Sequence, residues 1–417
     1  MKKICLLLFF VSLLQLVSCQ ETNQSGISTN DSREEEHMTT EESRENPTSE
    51  ENTGNGEILE WPRAAYEDLY LVNTFSKLNF EKKLTVGFLG GSVTAGAFAS
   101  SYSKCWAGLT GAWLRETYPD ATIRTVDAGW GGTGIEIGTY RLQSDLLKQD
   151  PDLVFVEFAV NDYYRDTAPE NVISYAESVI WMIHEKNPTT EVVFVLVGEK
   201  TATANLNQRN AYQKVADAYH IPVIDLCTAM QEQLRKTNTS WEQYFADVVH
   251  PNDNGYAFYA EQVKQGISAC FEADREVISE RTVYYREMPK SKIGKTDYSH
   301  AQLLKATLIK SATYKGFSCQ SVSTYYYGAC LTGSVGAELT VTFEGTDFAL
   351  LYKVDSADSK IECQLDGGDT ITYSGISGST MFDYLYRGLE NGKHTIKIKI
   401  TAKEWQIQAL AANGSFQ

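Results

Sequence analysis

The sequence has no block of clustered lysine and arginine, and the formal net charge of its 417 residues is −17. Because phosphate binding needs clustered basic side chains, nucleic acid and anionic lipid headgroups are poor candidate partners. The eight cysteines form no Cys-x-x-Cys pair, and no two of the six histidines have metal-ligand spacing. Neither a zinc ribbon nor a catalytic metal is therefore predicted. No internal repeat is evident, and the length suits two domains.

The first 19 residues have the pattern of an export signal. Lys2 and Lys3 precede an apolar run, Ile4–Val17, which is too short for a comfortable membrane span. The end of this run, Leu-Val-Ser-Cys, resembles the bacterial lipobox. That resemblance implies cleavage before Cys19, lipidation of Cys19 and a membrane-anchored lipoprotein at the cell surface. The alternative is an ordinary signal peptide followed by secretion, and both interpretations predict a location outside the cytoplasm.

Two segments separate this signal from the first predicted strand. Residues 20–57 contain eleven acidic and two basic residues and almost nothing apolar, so they cannot bury enough surface to fold. They are predicted to be a disordered acidic tether. Residues 58–83 carry apolar side chains at scattered helical spacing, which predicts a lead-in helix packed on the first domain.

Strand and helix patterns then alternate up to about residue 276. The predicted strands are nearly continuous apolar runs, as expected for strands buried on both faces: Leu84–Leu89, Thr122–Ala128, Asp152–Val160, Glu191–Val197 and Pro222–Leu226. The predicted helices are Trp106–Tyr118, Tyr140–Lys148, Pro169–Lys186, Asn205–Tyr219 and Asp253–Phe271. Five such repeats predict an α/β domain over residues 58–276, with a parallel sheet, helices on both faces and all carboxyl strand ends on one rim.

Residues 277–417 have a different pattern. Short alternating runs separated by glycines predict a C-terminal β-sandwich. Its aromatic residues allow two interpretations, carbohydrate binding or packing against the first domain, and packing is slightly favoured because strand tyrosines are usually half-buried. Cys319 and Cys330 are spaced to close a hairpin by a disulfide, and buried free cysteines are the alternative.

Four polar motifs follow strands or precede the last helix of the α/β domain. Ser92 follows Gly90 and Gly91 at the end of the first strand, where it is a candidate nucleophile or an ordinary helix cap. A glycine-rich segment, Asp127–Gly134, follows the second strand and exposes backbone N–H groups that suit an anion. Asn161 ends the third predicted strand, where its amide is a candidate donor to an oxyanion.

The fourth motif is Asp247-x-x-His250, in a loop before the last helix. An aspartate three residues before a histidine is able to bond Nδ1, which leaves Nε2 free to accept a proton. Each motif alone is common in proteins without any catalytic role. Their order along the chain is specific, because all four converge on one rim of the predicted sheet.

These four blocks resemble the SGNH (GDSL-type) hydrolase family over residues 84 to about 271. The resemblance implies a three-layer α/β/α, flavodoxin-like fold with a triad of Ser92, Asp247 and His250. It implies an oxyanion hole made by the N–H groups of Ser92 and Gly132 and the amide of Asn161, with Gly131 as the alternative glycine. Two departures weaken inference about the substrate: Gly91 stands where the family usually has aspartate, and Ala159 stands where it usually has glycine.

The mechanism implied is acyl transfer to Ser92 and then to water, without a cofactor. The pairing with a β-sandwich resembles bacterial esterases that remove acetyl groups from polysaccharides, which implies an acetylated oligo- or polysaccharide as substrate. Trp130 is placed either to stack on a sugar ring or to pack in the core. The rival hypotheses are a lipid- or aryl-directed esterase of the same fold and a non-catalytic surface protein that binds polysaccharide.

Overall fold

The computed structural model of the protein describes residues 71–323 and 326–417, all of which lie within one compact unit. The predicted signal, Cys19, the tether and residues 58–70 of the lead-in helix lie outside the described residues. From the lead-in helix, the described part contains α1 (Val72–Ser76) and a π-helical turn, Lys77–Glu81. Among the described residues no helix has both the length and the apolar character needed to cross a bilayer.

A five-stranded parallel sheet forms the centre of the first part. Its strands are β1 (Lys83–Gly90), β2 (Thr122–Gly129), β3 (Leu153–Glu157), β4 (Glu191–Leu196) and β5 (Val223–Asp225). Their order is β2-β1-β3-β4-β5, and every neighbouring pair is parallel. This is the flavodoxin-like order, which confirms the predicted fold class.

Helices cover both faces of this sheet. They are α2 (Trp106–Thr117), α3 (Ile135–Asp145), α4 (Ala159–Tyr164), α5 (Pro169–Lys186), α6 (Leu206–Tyr219), α7 (Leu226–Thr237) and α8 (Asp253–Val277). Strand side chains alternate between two buried clusters: Phe88 and Phe155 pack on one side, while Leu89 and Val156 pack on the other. Burial on both faces explains why these strands are almost entirely apolar in sequence.

Two predicted strand ends near the sheet rim are wrong, and α3 begins at Ile135 instead of the predicted Tyr140. β3 ends at Glu157, not at Val160, and Asn161 lies in the short helix α4 instead of ending a strand. The fifth strand ends at Asp225, and α7 follows directly without having been predicted. The Asp225 carboxylate accepts the Thr228 N–H at 3.0 Å, so this residue caps the helix and ends the strand.

The second part is a β-sandwich, as predicted. Its strands are β6 (Ala301–Lys305), β7 (Tyr314–Ser321), β8 (Ala329–Lys353), β9 (Lys360–Leu365), β10 (Thr370–Ser374), β11 (Met381–Tyr386), β12 (Gly392–Ala402) and β13 (Trp405–Phe416). The 25-residue strand β8 pairs with β7, β11, β12 and β13 along its length. It therefore connects most of the domain into one hydrogen-bonded system.

The cysteines of the β7–β8 hairpin are free. Gln320 pairs with Cys330 and Cys319 pairs with Leu331, so the two cysteines are one position out of register. Alternate residues of a strand point to opposite faces, and accordingly Cys319 is exposed while Cys330 is buried. The disulfide alternative is therefore wrong, and the alternative of free cysteines holds.

The two parts share a continuous apolar core. Leu351 and Phe382 of the sandwich belong to the same buried cluster as Tyr140 of α3 and Tyr175 of α5. The rings of Tyr140 and Phe382 lie 5.3 Å apart, and the hydroxyls of Tyr175 and Tyr384 lie 2.9 Å apart. The sandwich thus packs directly on helices of the α/β part.

Candidate active site

Two glycines place Ser92 at the end of β1. Gly90 pairs with Gly129 of β2 and Glu157 of β3, so it stands at the rim where three strands end together. A Cβ atom at Gly90 would overlap the Thr94 hydroxyl, and one at Gly91 would overlap the Asn161 amide. In this structure the Asn161 amide therefore occupies the space that a side chain at position 91, where glycine is a departure from the family pattern, would take.

The structure brings Ser92, His250 and Asp247 into one hydrogen-bonded chain. Ser92 Oγ lies 2.8 Å from His250 Nε2, and His250 Nδ1 lies 2.7 Å from Asp247 Oδ2. An ionised carboxylate only accepts hydrogen bonds, so Nδ1 carries the ring proton and donates a hydrogen bond to Asp247. His250 Nε2 is then the acceptor for the Ser92 hydroxyl, which is the arrangement a general base needs.

Asp247 is held ionised by its surroundings. Its Oδ1 accepts the backbone N–H groups of Val249 and His250, both at 2.7 Å, in addition to the Oδ2 contact with the His250 ring. Partial burial works against the carboxylate charge, but these hydrogen bonds outweigh it and lower the pKa of Asp247 to about 2. The carboxylate therefore stays charged and fixes the orientation of the imidazole across the physiological range.

The glycine-rich segment after β2 forms a tight turn beside Ser92. The Thr133 N–H donates to the Trp130 carbonyl at 3.3 Å, and Gly132 has a φ of +73°. Gly131, at the second position, does not have a positive φ, so the turn is of type II, which favours glycine at its third position. A Cβ atom at Gly131 would lie 3.8 Å from Ser92 Cβ, so this turn borders the nucleophile loop.

Asn161 completes the group of predicted oxyanion donors. It is 8% exposed, and its amide lies against Gly91, next to Ser92. The following residue, Asp162, accepts the Ile135 N–H and the Tyr212 hydroxyl, both at 2.8 Å. Asp162 thereby ties α4 to the start of α3, where the glycine-rich segment ends. The structure thus places Asn161 and the glycine turn beside the serine loop, while the role of Ser92, Gly132 and Asn161 as an oxyanion hole stays a prediction.

Residues 88–258 match the model of the GDSL-like lipase/acylhydrolase family. The chain contains a GDSL-like lipase/acylhydrolase domain. This span includes all the residues predicted for the triad and the oxyanion hole. No curated protein matches the chain significantly.

Solved structures resemble both parts of the chain. A two-domain esterase active on acetylated mannans, also solved with mannopentaose, is 21% identical, with a TM-score of 0.67. In the mannopentaose structure the match covers 80% of this chain and 91% of that one. A variant of an acetyl xylan esterase from Geobacillus stearothermophilus is 20% identical over 44% of this chain and 94% of its own, with a TM-score of 0.38. At this identity the two-domain likeness shows the shared fold.

Glu157 is a buried acid directly beneath the nucleophile loop of the GDSL-like domain. It has no exposed surface and accepts the Thr94 hydroxyl at 2.8 Å, and its other side-chain oxygen is buried without a partner among the described residues. Burial raises the pKa of Glu157 to about 8, and the bond from Thr94 only partly offsets that effect. A glutamate that ends an apolar strand is visible in the sequence, but its burial is not.

Replacing Glu157 by glutamine is expected to make stability less dependent on pH. The folded chain keeps this proton up to about pH 8, whereas an unfolded glutamate loses it near pH ~4.3. Stability from the bound proton is thus fully present below the unfolded pKa and is lost as the pH rises towards 8. The slope for one such group is at most about 1.4 kcal/mol per pH unit.

Denaturant unfolding between about pH 6 and about pH 8 measures this slope. Glu157→Gln should lose less stability over that interval than the unsubstituted protein. Glu170→Gln, at an exposed position in the first turn of α5, is the matched control and should keep the original slope. An identical slope in all three proteins would mean that Glu157 does not hold its proton in the folded state.

Phe98 belongs to the site but carries no signal in the sequence. Its ring centroid lies 5.3 Å from that of His250, and it is 47% exposed. The residue adopts φ +65°, which is uncommon for a bulky side chain. A single aromatic residue in a loop follows no spacing rule, so only the folded chain reveals that it covers one side of the imidazole.

A second aspartate–histidine pair lies in the β-sandwich. His394 Nδ1 is 2.7 Å from Asp366 Oδ2, as close as the pair in the site, but its Nε2 faces the Glu390 carbonyl at 2.9 Å. Partial burial works against the charge of His394, and the bonds to Asp366 and Glu390 outweigh it and raise the pKa of His394. With an acceptor at each nitrogen this ring has no free lone pair, so the pair is structural.

Trp130 lies between the two parts of the chain. The Tyr326 ring is parallel to the indole at 4.2 Å between centroids, and the Arg141 guanidinium carbon lies 4.5 Å from the same centroid. Two groups cannot occupy one face at these distances, so they cover opposite faces. Trp130 therefore has no free face for a sugar ring, and of the two alternatives the packing role holds.

The aromatic residues of the sandwich also favour packing. Trp405 is completely buried, and Tyr384 bonds Tyr175 of α5, so neither presents a free platform. Tyr325, another aromatic residue of the sandwich and a candidate for carbohydrate binding, lies outside the described residues. Among the described residues, no group of three or more histidine, cysteine, aspartate or glutamate side chains is arranged to hold a metal ion.

Proposed function

We propose that this protein is a serine esterase in which Ser92, His250 and Asp247 transfer an acyl group to Ser92 and then to water. The observation that carries the proposal is the continuous hydrogen-bonded chain, 2.8 Å from Ser92 Oγ to His250 Nε2 and 2.7 Å from His250 Nδ1 to Asp247 Oδ2. A serine hydroxyl is a weak nucleophile until an adjacent base removes its proton. His250 Nε2 supports the proposal as this base, because it lies within hydrogen-bond distance of the Ser92 hydroxyl.

In the proposed reaction His250 Nε2 takes the Ser92 proton as Oγ attacks the ester carbonyl. The resulting tetrahedral oxyanion is bound by the N–H groups of Ser92 and Gly132 and the amide of Asn161. His250 then gives its proton to the leaving alcohol. A water molecule attacks the acyl-serine while His250 again accepts a proton, and collapse of the second intermediate releases the acid. Asp247 stabilises the imidazolium formed in each half of the reaction.

We propose that the substrate is an O-acetyl ester on an oligo- or polysaccharide. Support comes from the two-domain esterase active on acetylated mannans, whose likeness extends over 80% of this chain and so includes the sandwich. Tyr163 and Tyr164 follow Asn161 in α4 and are 38% and 55% exposed. Exposed tyrosines that follow Asn161 in the same helix offer amphipathic surfaces that suit a sugar ring.

A lipid- or aryl-directed esterase is the second candidate. It is favoured by the exposed apolar side chains beside His250, since Phe98 is 47% and Val248 is 49% exposed. Acyl-chain length separates the two candidates, because a long acyl chain gains affinity from apolar surface whereas an acetyl group gains little.

Acetate release from acetylated xylan, mannan and pectin tests the proposal, beside p-nitrophenyl acetate, butyrate and octanoate. We expect acetate from at least one polysaccharide and a preference of about tenfold or more for the acetyl over the octanoyl ester. Activity on octanoate without any polysaccharide turnover would move the assignment to the second candidate. Binding of polysaccharide without hydrolysis of any ester would favour a non-catalytic binding protein.

A further inference from the structure

The β-sandwich contacts the peptide bond that carries the predicted glycine donor. The Tyr326 hydroxyl, in the loop between β7 and β8, donates to the Gly131 carbonyl oxygen. That carbonyl and the Gly132 N–H belong to the same peptide unit. The described residues contain no cis peptide bond, so the two groups point in opposite directions. A group that holds the carbonyl therefore also fixes the direction of the N–H.

The Gly131–Gly132 peptide is the central peptide of a turn, and the central peptide is the one that rotates when a turn changes type. Trp130 to Thr133 form a type II turn with Gly132 at the third position. Types I and II differ mainly by rotation of the central peptide, here the Gly131–Gly132 unit, and glycine at position 132 makes both forms accessible. Without an external contact, the turn is free to exchange between a form that presents the N–H and one that presents the carbonyl.

Tyr326 is itself held in place by stacking. Its ring lies parallel to Trp130, with an angle of 3° between the planes, and Tyr327 packs edge-on against the same indole at 4.7 Å. The opposite face of Trp130 meets Arg141, which is fully buried and donates to the Gly90 carbonyl at 3.1 Å. The stack thus runs from the sandwich through the glycine turn to the last residue of β1.

A second set of contacts reaches the neighbouring carbonyl. Arg387 of the sandwich donates to the Tyr175 hydroxyl at 3.2 Å, and that hydroxyl donates to Glu136 at 3.0 Å. Glu136 lies 4.0 Å from Arg165, which donates to the Gly132 carbonyl at 3.3 Å. The Gly131 carbonyl thus bonds the sandwich directly, and the Gly132 carbonyl bonds Arg165, which is connected to the sandwich through Glu136 and Tyr175.

We propose that Tyr326 is a positioning residue: its hydroxyl locks the Gly131–Gly132 peptide in the orientation that presents the Gly132 N–H to the oxyanion. The inference rests on the proposed esterase function. A hydrogen bond to the carbonyl also polarises the peptide and makes its N–H a stronger donor. Through this contact the sandwich contributes to the chemical step, and this contribution does not depend on which ester is the substrate.

The test compares Tyr326→Phe with Tyr327→Phe in the full chain, using p-nitrophenyl acetate and the thermal midpoint of each protein. Both variants keep an aromatic ring on Trp130, but only the first removes the bond to Gly131. We expect kcat of Tyr326→Phe to fall about tenfold with KM nearly unchanged, a smaller effect than deletion of a whole oxyanion donor. Tyr327→Phe should keep the original kcat, and both should keep the original midpoint.

A trifluoromethyl ketone, which adds to the serine and forms a stable oxyanion, provides an independent measurement. Its inhibition constant should rise for Tyr326→Phe by a factor similar to the fall in kcat/KM, because the same donor binds both oxyanions. A kcat of Tyr326→Phe within twofold of the original overturns the inference. An equal fall in kcat of Tyr326→Phe and Tyr327→Phe, with lowered thermal midpoints, overturns it as well. If the unsubstituted protein is active, Ser92→Ala is inactive and Tyr326→Phe is unchanged, only this inference fails. If Ser92→Ala is as active as the original, the esterase proposal fails and this inference fails with it.

Discussion

Replacing Ser92 by alanine is expected to lower kcat for p-nitrophenyl acetate by about five orders of magnitude or more, leaving only binding and electrostatic contributions. The hydroxyl is the group that forms the acyl intermediate, and no other hydroxyl is recorded within hydrogen-bond distance of His250 Nε2 in the described part of the chain. Stability should change little, because the Oγ contact with His250 is at the rim and not in the core. Steady-state kinetics and a thermal midpoint measure both effects.

Ser101→Ala is the matched control for this substitution. Ser101 lies in the same loop, is exposed, and its hydroxyl bonds that of Ser103 at 2.9 Å, away from His250, so the variant should keep full activity. A fluorophosphonate should modify the original protein and Ser101→Ala on the peptide that contains Ser92, and should leave Ser92→Ala unmodified. If Ser92→Ala were modified at another serine and kept its activity, that other serine would be the nucleophile.

Replacing Asp247 by asparagine is expected to lower kcat by about four orders of magnitude. The carboxylate accepts the Nδ1 proton of His250 at 2.7 Å, whereas an asparagine amide that keeps its oxygen on the two backbone N–H groups turns its NH₂ group towards the ring. Nδ1 must then act as acceptor, which moves the ring proton to Nε2 and removes the lone pair that receives the Ser92 proton. The fall should appear in kcat, since Asp247 is not placed to contact the substrate.

The control for Asp247→Asn is Asp366→Asn, which changes an aspartate–histidine pair of equal length, 2.7 Å, in the β-sandwich. In that pair His394 Nε2 meets the Glu390 carbonyl instead of a serine hydroxyl, so its loss should leave kcat unchanged and affect only local stability. Kinetics of both variants with p-nitrophenyl acetate distinguish the two pairs. Equal, small losses in both proteins would show that Asp247 does not orient a catalytic histidine.

Sequence reasoning succeeded where a local pattern carries the information. The alternation of apolar strands and helices predicted the parallel sheet, and right-handed crossovers place all carboxyl strand ends on one rim. From that rule alone, Ser92, the glycine-rich segment and Asn161 were expected to meet, and the structure brings them together. The predicted secondary structure at Asn161 is wrong, because β3 ends earlier and the residue lies in a short helix. The change of backbone direction after Glu157 has no periodic signal.

The remaining features depend on contacts between segments that are far apart in the chain. Tyr326 and Gly131 are 195 positions apart, and nothing in either local sequence indicates that they meet. The burial of Glu157 and the position of Phe98 against His250 likewise follow from how neighbouring elements pack, because a side chain's environment is set by residues brought to it by the fold.

The amino-acid sequence by itself determined the fold class of the two parts, the order of the four motifs and the residues of the candidate triad, since these follow from periodicity, turn chemistry and topology. Only the tertiary structure decided which faces of Trp130 are covered, that the Asn161 amide lies against Gly91, and that the sandwich reaches the Gly131–Gly132 peptide. The physical reason is that hydrogen bonds and ring contacts act over a few ångströms, so they exist only once packing has set the distances.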